Sequence, residues 1–177
     1  MLNSECGINH AVFRTSLGWV GVAATTQGIS RIVLPKKDKA AVLRELENEE
    51  IDFVSCSATS PLLAKTVRLL KHYFSGESVL FDVPLDLRYY TPFQQAVWQA
   101  VRAVPFGETR SYVWIAKRIR NPKAARAVGQ ALGANPVPII IPCHRVISSA
   151  GTMGGFSGGL EMKRKLLDLE SNAKVHH

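Results

Sequence analysis

The first half of the chain carries strand-like apolar runs at residues 11–15, 19–24 and 29–34, separated by Gly18 and by Gln27-Gly28. Short runs punctuated by turn residues predict a three-stranded antiparallel meander. The pattern then lengthens. Residues 39–50 read as a helix with a strongly acidic end, and Pro61–Phe74 as a second helix stopped by Gly76. A short strand is expected over residues 80–83. Nothing in this half is visibly equipped for chemistry, and strands followed by helices indicate a small α+β domain.

The second half changes character. In Thr91-Pro92-Phe93-Gln94 a capping Thr precedes Pro at the first helical position and Gln at the third. This capping box opens a helix that runs to Ala103 and ends at Pro105-Phe106-Gly107. Helices are predicted over 110–119 and 123–132, with Asn121-Pro122 between them and Gly133 as a stop. Two short helices about a tight turn read as a helix-turn-helix, its second helix carrying Lys123, Arg126 and Gln130. Ala124, Ala127 and Ala131 form a stripe of small residues that admits either a neighbouring helix or a DNA groove. Asn135-Pro136-Val137-Pro138 leads into an apolar strand, Ile139-Ile140-Ile141, and then Pro142-Cys143-His144-Arg145-Val146. After a glycine-rich loop at 151–155, a last helix begins near Ser157 with Met162, Leu166 and Leu169 on one face.

Composition narrows the class. Across 177 residues, 46% hydrophobic, 20% charged and a mean hydropathy of +0.04 describe a globular chain with one domain or two small ones. No apolar run approaches the roughly 18 residues of a membrane span, and no secretory signal is visible. Cys6, Cys56 and Cys143 are too few and too scattered for a disulfide framework, which favours a reducing cytoplasm. Charge is unevenly placed: residues 1–88 hold ten Lys+Arg and ten Asp+Glu, leaving 12 and four of the totals of 22 and 14 for residues 89–177. The whole +8 therefore lies in the second half, which favours a polyanion, nucleic acid first.

Cys143 is the residue whose surroundings suggest reactivity, since cationic neighbours lower a thiol pKa and the thiolate is the nucleophile. Cys6 and Cys56 read as inert structural thiols. Adjacent residues of an extended segment point to opposite faces, so His144 acts on Cys143 only if the chain bends or a water bridges them. Metal binding is the competing use of a Cys-His pair. No C-x₂-C or H-x₃₋₅-H spacing occurs, and no metal is expected.

The run from Asn135 through Val146 resembles the active-site signature of the O6-alkylguanine-DNA alkyltransferases. Tyr112, the stretch Asn121 to Gly129, and Ser157-Gly158-Gly159-Leu160 fall at family-like distances from Cys143, so the resemblance covers residues 91–170. It implies an α+β protein with a ribonuclease-H-like N-terminal domain (residues 1–88) and a helical, winged-helix-like C-terminal domain (residues 89–177) with the helix-turn-helix. It also implies irreversible, single-turnover transfer of an alkyl group from O6-alkylguanine, and from O4-alkylthymine, to the protein's own cysteine. The implied partner is double-stranded DNA containing the lesion, met by a monomer with no cofactor.

Site roles follow from the same resemblance. Cys143 is the nucleophile, His144 activates it through a water, and Glu170 orients His144. Tyr112 protonates the leaving base, and Asn135 is a hinge beside the cysteine. Arg126 fills the place of a flipped nucleotide from the minor groove, on a helix where Ala125, Ala127, Gly129, Gln130 and Ala131, with Lys123, meet DNA. Pro138, Val146, Phe156 and Ser157 line the base pocket. Phe156 stands where some relatives carry Tyr, keeping an apolar wall without the hydroxyl. Some relatives hold structural zinc, but Cys6 and His10 do not reproduce the ligand set. Two other functions compete. One is a non-enzymatic binder, a helix-turn-helix regulator or a lesion-sensing relative, of which the sensing kind lacks the cysteine that this chain keeps. The other is a Cys-His thiol hydrolase, which would leave the basic half without a use.

Overall fold

A computed structural model describes residues 9–47 and 60–173; Cys6, Cys56 and the acidic end of the first predicted helix lie outside them. The described residues divide into two compact units, one extending to Ser75 with Val79–Asp86, the other comprising Gly76–Ser78 and the chain from Leu87 onward.

In the first unit, β1 (Asn9–Thr15), β2 (Gly18–Ala24) and β3 (Ile29–Lys36) form the predicted antiparallel meander, in register at Phe13–Val20 and Ala23–Arg31. Helix α1 (Lys39–Glu47) packs Val42 and Leu46 against Ala23 and Val33. Gly21 permits that approach, because a Cβ there would lie 2.6 Å from Val42. Helix α2 (Pro61–Phe74) is capped by Ser60 and buries Leu63, Leu70, Tyr73 and Phe74. The expected strand at 80–83 does not form. The segment is irregular, and pairing is confined to a parallel bridge between Ile29 and Leu85, with the amide of Ile29 on the carbonyl of Pro84. Pro84 has no amide to extend a ladder, which accounts for its brevity.

The second unit is built on α3 (Pro92–Arg102), α4 (Tyr112–Arg118), α5 (Ala125–Gly133) and α6 (Leu160–Ala173). Thr91 and Gln94 make the reciprocal capping box read from their spacing. Trp98 of α3 is fully buried and donates its indole N–H to the Ala131 carbonyl of α5 at 2.9 Å.

Three boundaries differ from expectation. Helix α4 starts at Tyr112 because Arg110–Ser111 form a strand, β4, parallel to β5 (Val146–Ile147), and Ser111 then caps the helix. Lys123 lies in the turn before α5. Helix α6 begins at Leu160, with Ser157 in the turn ahead of it. The apolar run at 139–141 is not a strand either: Ile139 sits at φ 76° in a tight turn closed by the Ile141 amide on the Val137 carbonyl at 2.9 Å. A β-branched residue there is strained and is held by its surroundings.

Candidate active site

After that turn the chain bends again, into a 3₁₀ turn over Cys143–Arg145. The extended geometry that would have sent Cys143 and His144 to opposite faces is thereby avoided. Asn135 stabilises both bends. Its Nδ2 donates to the Ile141 carbonyl at 2.9 Å and to Cys143 Sγ at 3.1 Å, while its Oδ1 accepts the Val137 amide at 3.0 Å. All of these groups are buried, so the bonds specify one loop conformation.

Cys143 Sγ reaches an open cleft of about 540 Å³. One wall is α5, through Ala125, Arg126, Gly129 and Gln130; the other is the loop Gly154, Gly155, Phe156 and Ser157, and Tyr112 spans the two. The Tyr112 ring lies over Gly129, and its hydroxyl donates a long bond to the Gly155 carbonyl at 3.5 Å. Gly154 is at φ 61°, and a Cβ there would lie 2.5 Å from the Tyr112 hydroxyl. A glycine is therefore required for conformation and for space.

Other predicted site residues lie elsewhere. Ala131 is buried against α3, and Val146 and Pro138 are buried, so none of the three lines the cleft. With Ala124 also buried, the alanine stripe serves helix packing at both of its ends. Ala127 and Lys123 are not on the cleft wall, and Lys123 is exposed in the turn.

Behind the cysteine is a fully buried ionic group. His144 Nε2 lies 2.6 Å from Glu170 Oε1. Arg145 donates to both oxygens of that carboxylate, at 2.9–3.2 Å, and Nη1 donates to the Val104 carbonyl at 2.7 Å. The Gly107 amide adds a bond to Glu170 Oε2 at 2.9 Å. Burial alone would raise the Glu170 pKa, but the bonds and charges of His144 and Arg145 outweigh it and bring it down to about 2. Glu170 is an anion that can only accept, which puts the hydrogen of neutral His144 on Nε2 and the basic lone pair on Nδ1. Burial holds the His144 pKa below its ordinary value, with the Arg145 and Lys163 charges acting in the same direction against Glu170.

The thiol itself departs from expectation. Burial pushes the Cys143 pKa up to about 11, and the Asn135 bond and the Lys163 charge only partly offset it. Cationic sequence neighbours do not produce a resting thiolate here, because Arg145 is turned toward Glu170. Burial likewise raises the Tyr112 pKa, and Cys143 adds to the effect, so Tyr112 keeps its proton at neutral pH.

Sequence reasoning missed Lys163. It is fully buried on α6, and its ammonium donates to the carbonyls of Val146 at 2.6 Å, of Met153, and of Gly155 at 3.5 Å. The one available signal was position: Lys163, Leu166 and Glu170 share the inward face of α6. Among the described residues, no group of three or more His, Cys, Asp or Glu side chains is placed to hold a metal ion.

The chain combines a two-unit α+β fold with a buried cysteine beside a His–Glu–Arg group, and sequence comparison specifies its family. The ribonuclease-like domain of 6-O-methylguanine DNA methyltransferase matches residues 8–87, and the DNA binding domain of the same family matches residues 92–172. The chain belongs to this family. A methylated-DNA–protein-cysteine methyltransferase of Methanosarcina acetivorans is 39% identical over 92% of this chain and 98% of its own. The Mycobacterium bovis protein of that name is 56% identical over 58% of this chain, and the match spans 62% of that relative's length. Among solved structures, Mycobacterium tuberculosis OGT in complex with DNA superposes with a TM-score of 0.78 at 38% identity, over 93% of this chain and 94% of the other.

Proposed function

We propose that this protein repairs alkylated DNA by moving the alkyl group from guanine O6 to its own Cys143. The observation that carries the reading is the position of Sγ, at the cleft between α5 and the 154–157 loop with the His144–Glu170 pair behind it. As the thiol proton passes through a water to His144 Nδ1, sulfur attacks the alkyl carbon in line. The S–C bond forms and the C–O6 bond breaks, its electron pair staying with the guanine. Tyr112 supplies a proton to the departing base. The product is a thioether that no neighbouring group displaces, so each molecule acts once.

Because O6 sits on the major-groove edge of a stacked, paired base while α5 approaches from the minor groove, the nucleotide must leave the helix to reach Sγ. Exposed Arg126 on the α5 wall is suited to fill the vacated place, with Ala125, Gly129 and Gln130 allowing close approach through the minor groove. Phe156 and Ser157 bound the alkyl group. O4-alkylthymine presents the same alkyl–oxygen bond and is a second substrate in this reading. The working compartment is the cytoplasm, at the chromosome. No helix among the described residues is long and apolar enough to cross a membrane.

Cys143→Ala tests the reading. It should still bind a duplex containing O6-methylguanine, since α5 is unchanged, yet take up no methyl. Uptake by that variant would contradict the assignment.

A further inference from the structure

His144 and Glu170 account for proton removal from Cys143, yet three of the hydrogen bonds on Glu170 come from Arg145. Its guanidinium covers both oxygens of Glu170, reaches the Val104 carbonyl, and lies 5.6 Å from the centre of the Phe106 ring. We propose that Arg145 is a positioning residue for alkyl transfer: by gripping both oxygens of Glu170 it keeps that carboxylate an acceptor, and so fixes which nitrogen of His144 carries the hydrogen. The inference rests on Cys143 being the alkyl acceptor.

Removing the guanidinium changes the state open to Glu170. It would remain fully buried, with the Gly107 amide and His144 as partners. Burial without a cation favours the neutral acid. A carboxylic acid at the His144 Nε2 position donates a hydrogen instead of accepting one. The neutral imidazole would then adopt the Nδ1–H form, in which Nδ1 has no lone pair for the thiol proton. Thiol deprotonation would stall although every group that handles the proton is present. The charged groups acting on the ring are Glu170 and Lys163 from α6 and Arg145 from its own turn. Of these, Arg145 alone bonds both carboxylate oxygens.

The turn that ends α3 is also involved. Val104 accepts from Arg145 and Gly107 donates to Glu170. Arg145 thus ties the proton-handling pair to the peptide groups of residues 104–107, far from the cysteine in sequence.

The test uses the full-length protein and free O6-benzylguanine, which requires no DNA. Single-turnover rates are measured for the wild type, Arg145→Met, Arg145→Gln and Arg145→Lys at a temperature where each is folded. Nitrogen NMR of His144 reports the tautomer. Arg145→Met and Arg145→Gln should transfer at least about ten-fold more slowly and show the Nδ1–H form, while Arg145→Lys, which keeps a cation, should recover rate and the Nε2–H form together. Should Arg145→Met fail to fold, the hydrogen-bonding Arg145→Gln carries the comparison. Neutral variants that transfer at the wild-type rate, or lose rate while keeping the Nε2–H form, overturn the proposal. Failure of the wild type to take up a methyl group from an O6-methylguanine duplex would instead sink the alkyl-transfer reading.

Discussion

Asn135 Nδ2 lies 3.1 Å from Cys143 Sγ while also donating to the Ile141 carbonyl. One amide group therefore positions the sulfur and braces the turn that holds Ile139 at positive φ. Asn135→Ala should cost about 2–4 kcal/mol in stability, since it leaves buried backbone partners unsatisfied. It should also raise the thiol pKa further, because the Asn135 bond favours the thiolate. Denaturant unfolding and the pH dependence of iodoacetamide alkylation at Cys143 check the two effects.

Gly154→Ala should narrow the cleft. The added methyl would meet the Tyr112 hydroxyl on a residue already at left-handed φ. Single-turnover transfer from O6-benzylguanine should slow by on the order of ten-fold or more, about 1.4 kcal/mol per decade, with folding largely retained. Gly155→Ala, where an added Cβ meets nothing within 4 Å, is the control.

Stability should peak between about pH 7 and 9. Buried His144 has a lowered pKa, so below about pH 6.5 the unfolded chain binds a proton that the folded one resists, and stability falls. Glu170, brought down to about 2, adds a loss as pH drops through the carboxylate range toward that value. Above pH 9 the unfolded thiol ionises while Cys143 in the fold, at about 11, does not, which removes stability again. Calorimetry across pH tests this. The part of the alkaline loss due to Cys143 should vanish once that residue carries an alkyl group, since a thioether has no proton to lose.

Several features were legible in the chain and others were not, for reasons of range. The capping box at Thr91 and Gln94 is local, and its spacing alone carried it. The meander was equally visible, because Gly18 and Gln27-Gly28 mark its turns. The resemblance around Cys143 pointed to several residues that line the cleft, such as Tyr112, Arg126 and Phe156, but also to Pro138, Val146 and Ala131, which are buried away from it. Pairing of Arg110–Ser111 with Val146–Ile147 was invisible, since two residues per strand leave no periodicity. Arg145 read as a cation acting on the thiol and Lys163 drew no reading, because only tertiary burial reveals their partners. The expected low thiol pKa failed on the same ground: sequence neighbours indicate charge, but not whether that charge faces the sulfur.

Arg126→Ala should separate two uses of an exposed arginine. A phosphate contact would lose affinity for any duplex equally. A side chain that fills the place of an extruded nucleotide should slow transfer from a duplex by about ten-fold or more, while leaving the free base almost unaffected. Equal slowing on both substrates would remove Arg126 from the flipping step.

The central claim is that Cys143 is reagent and final acceptor together. Intact mass after mixing with excess O6-methylguanine duplex, followed by peptide mapping, tests it most directly. The predicted result is one methyl per protein, located on Cys143, with uptake stopping at one equivalent. Unchanged mass, a methyl on another residue, or continued turnover beyond one equivalent would contradict it.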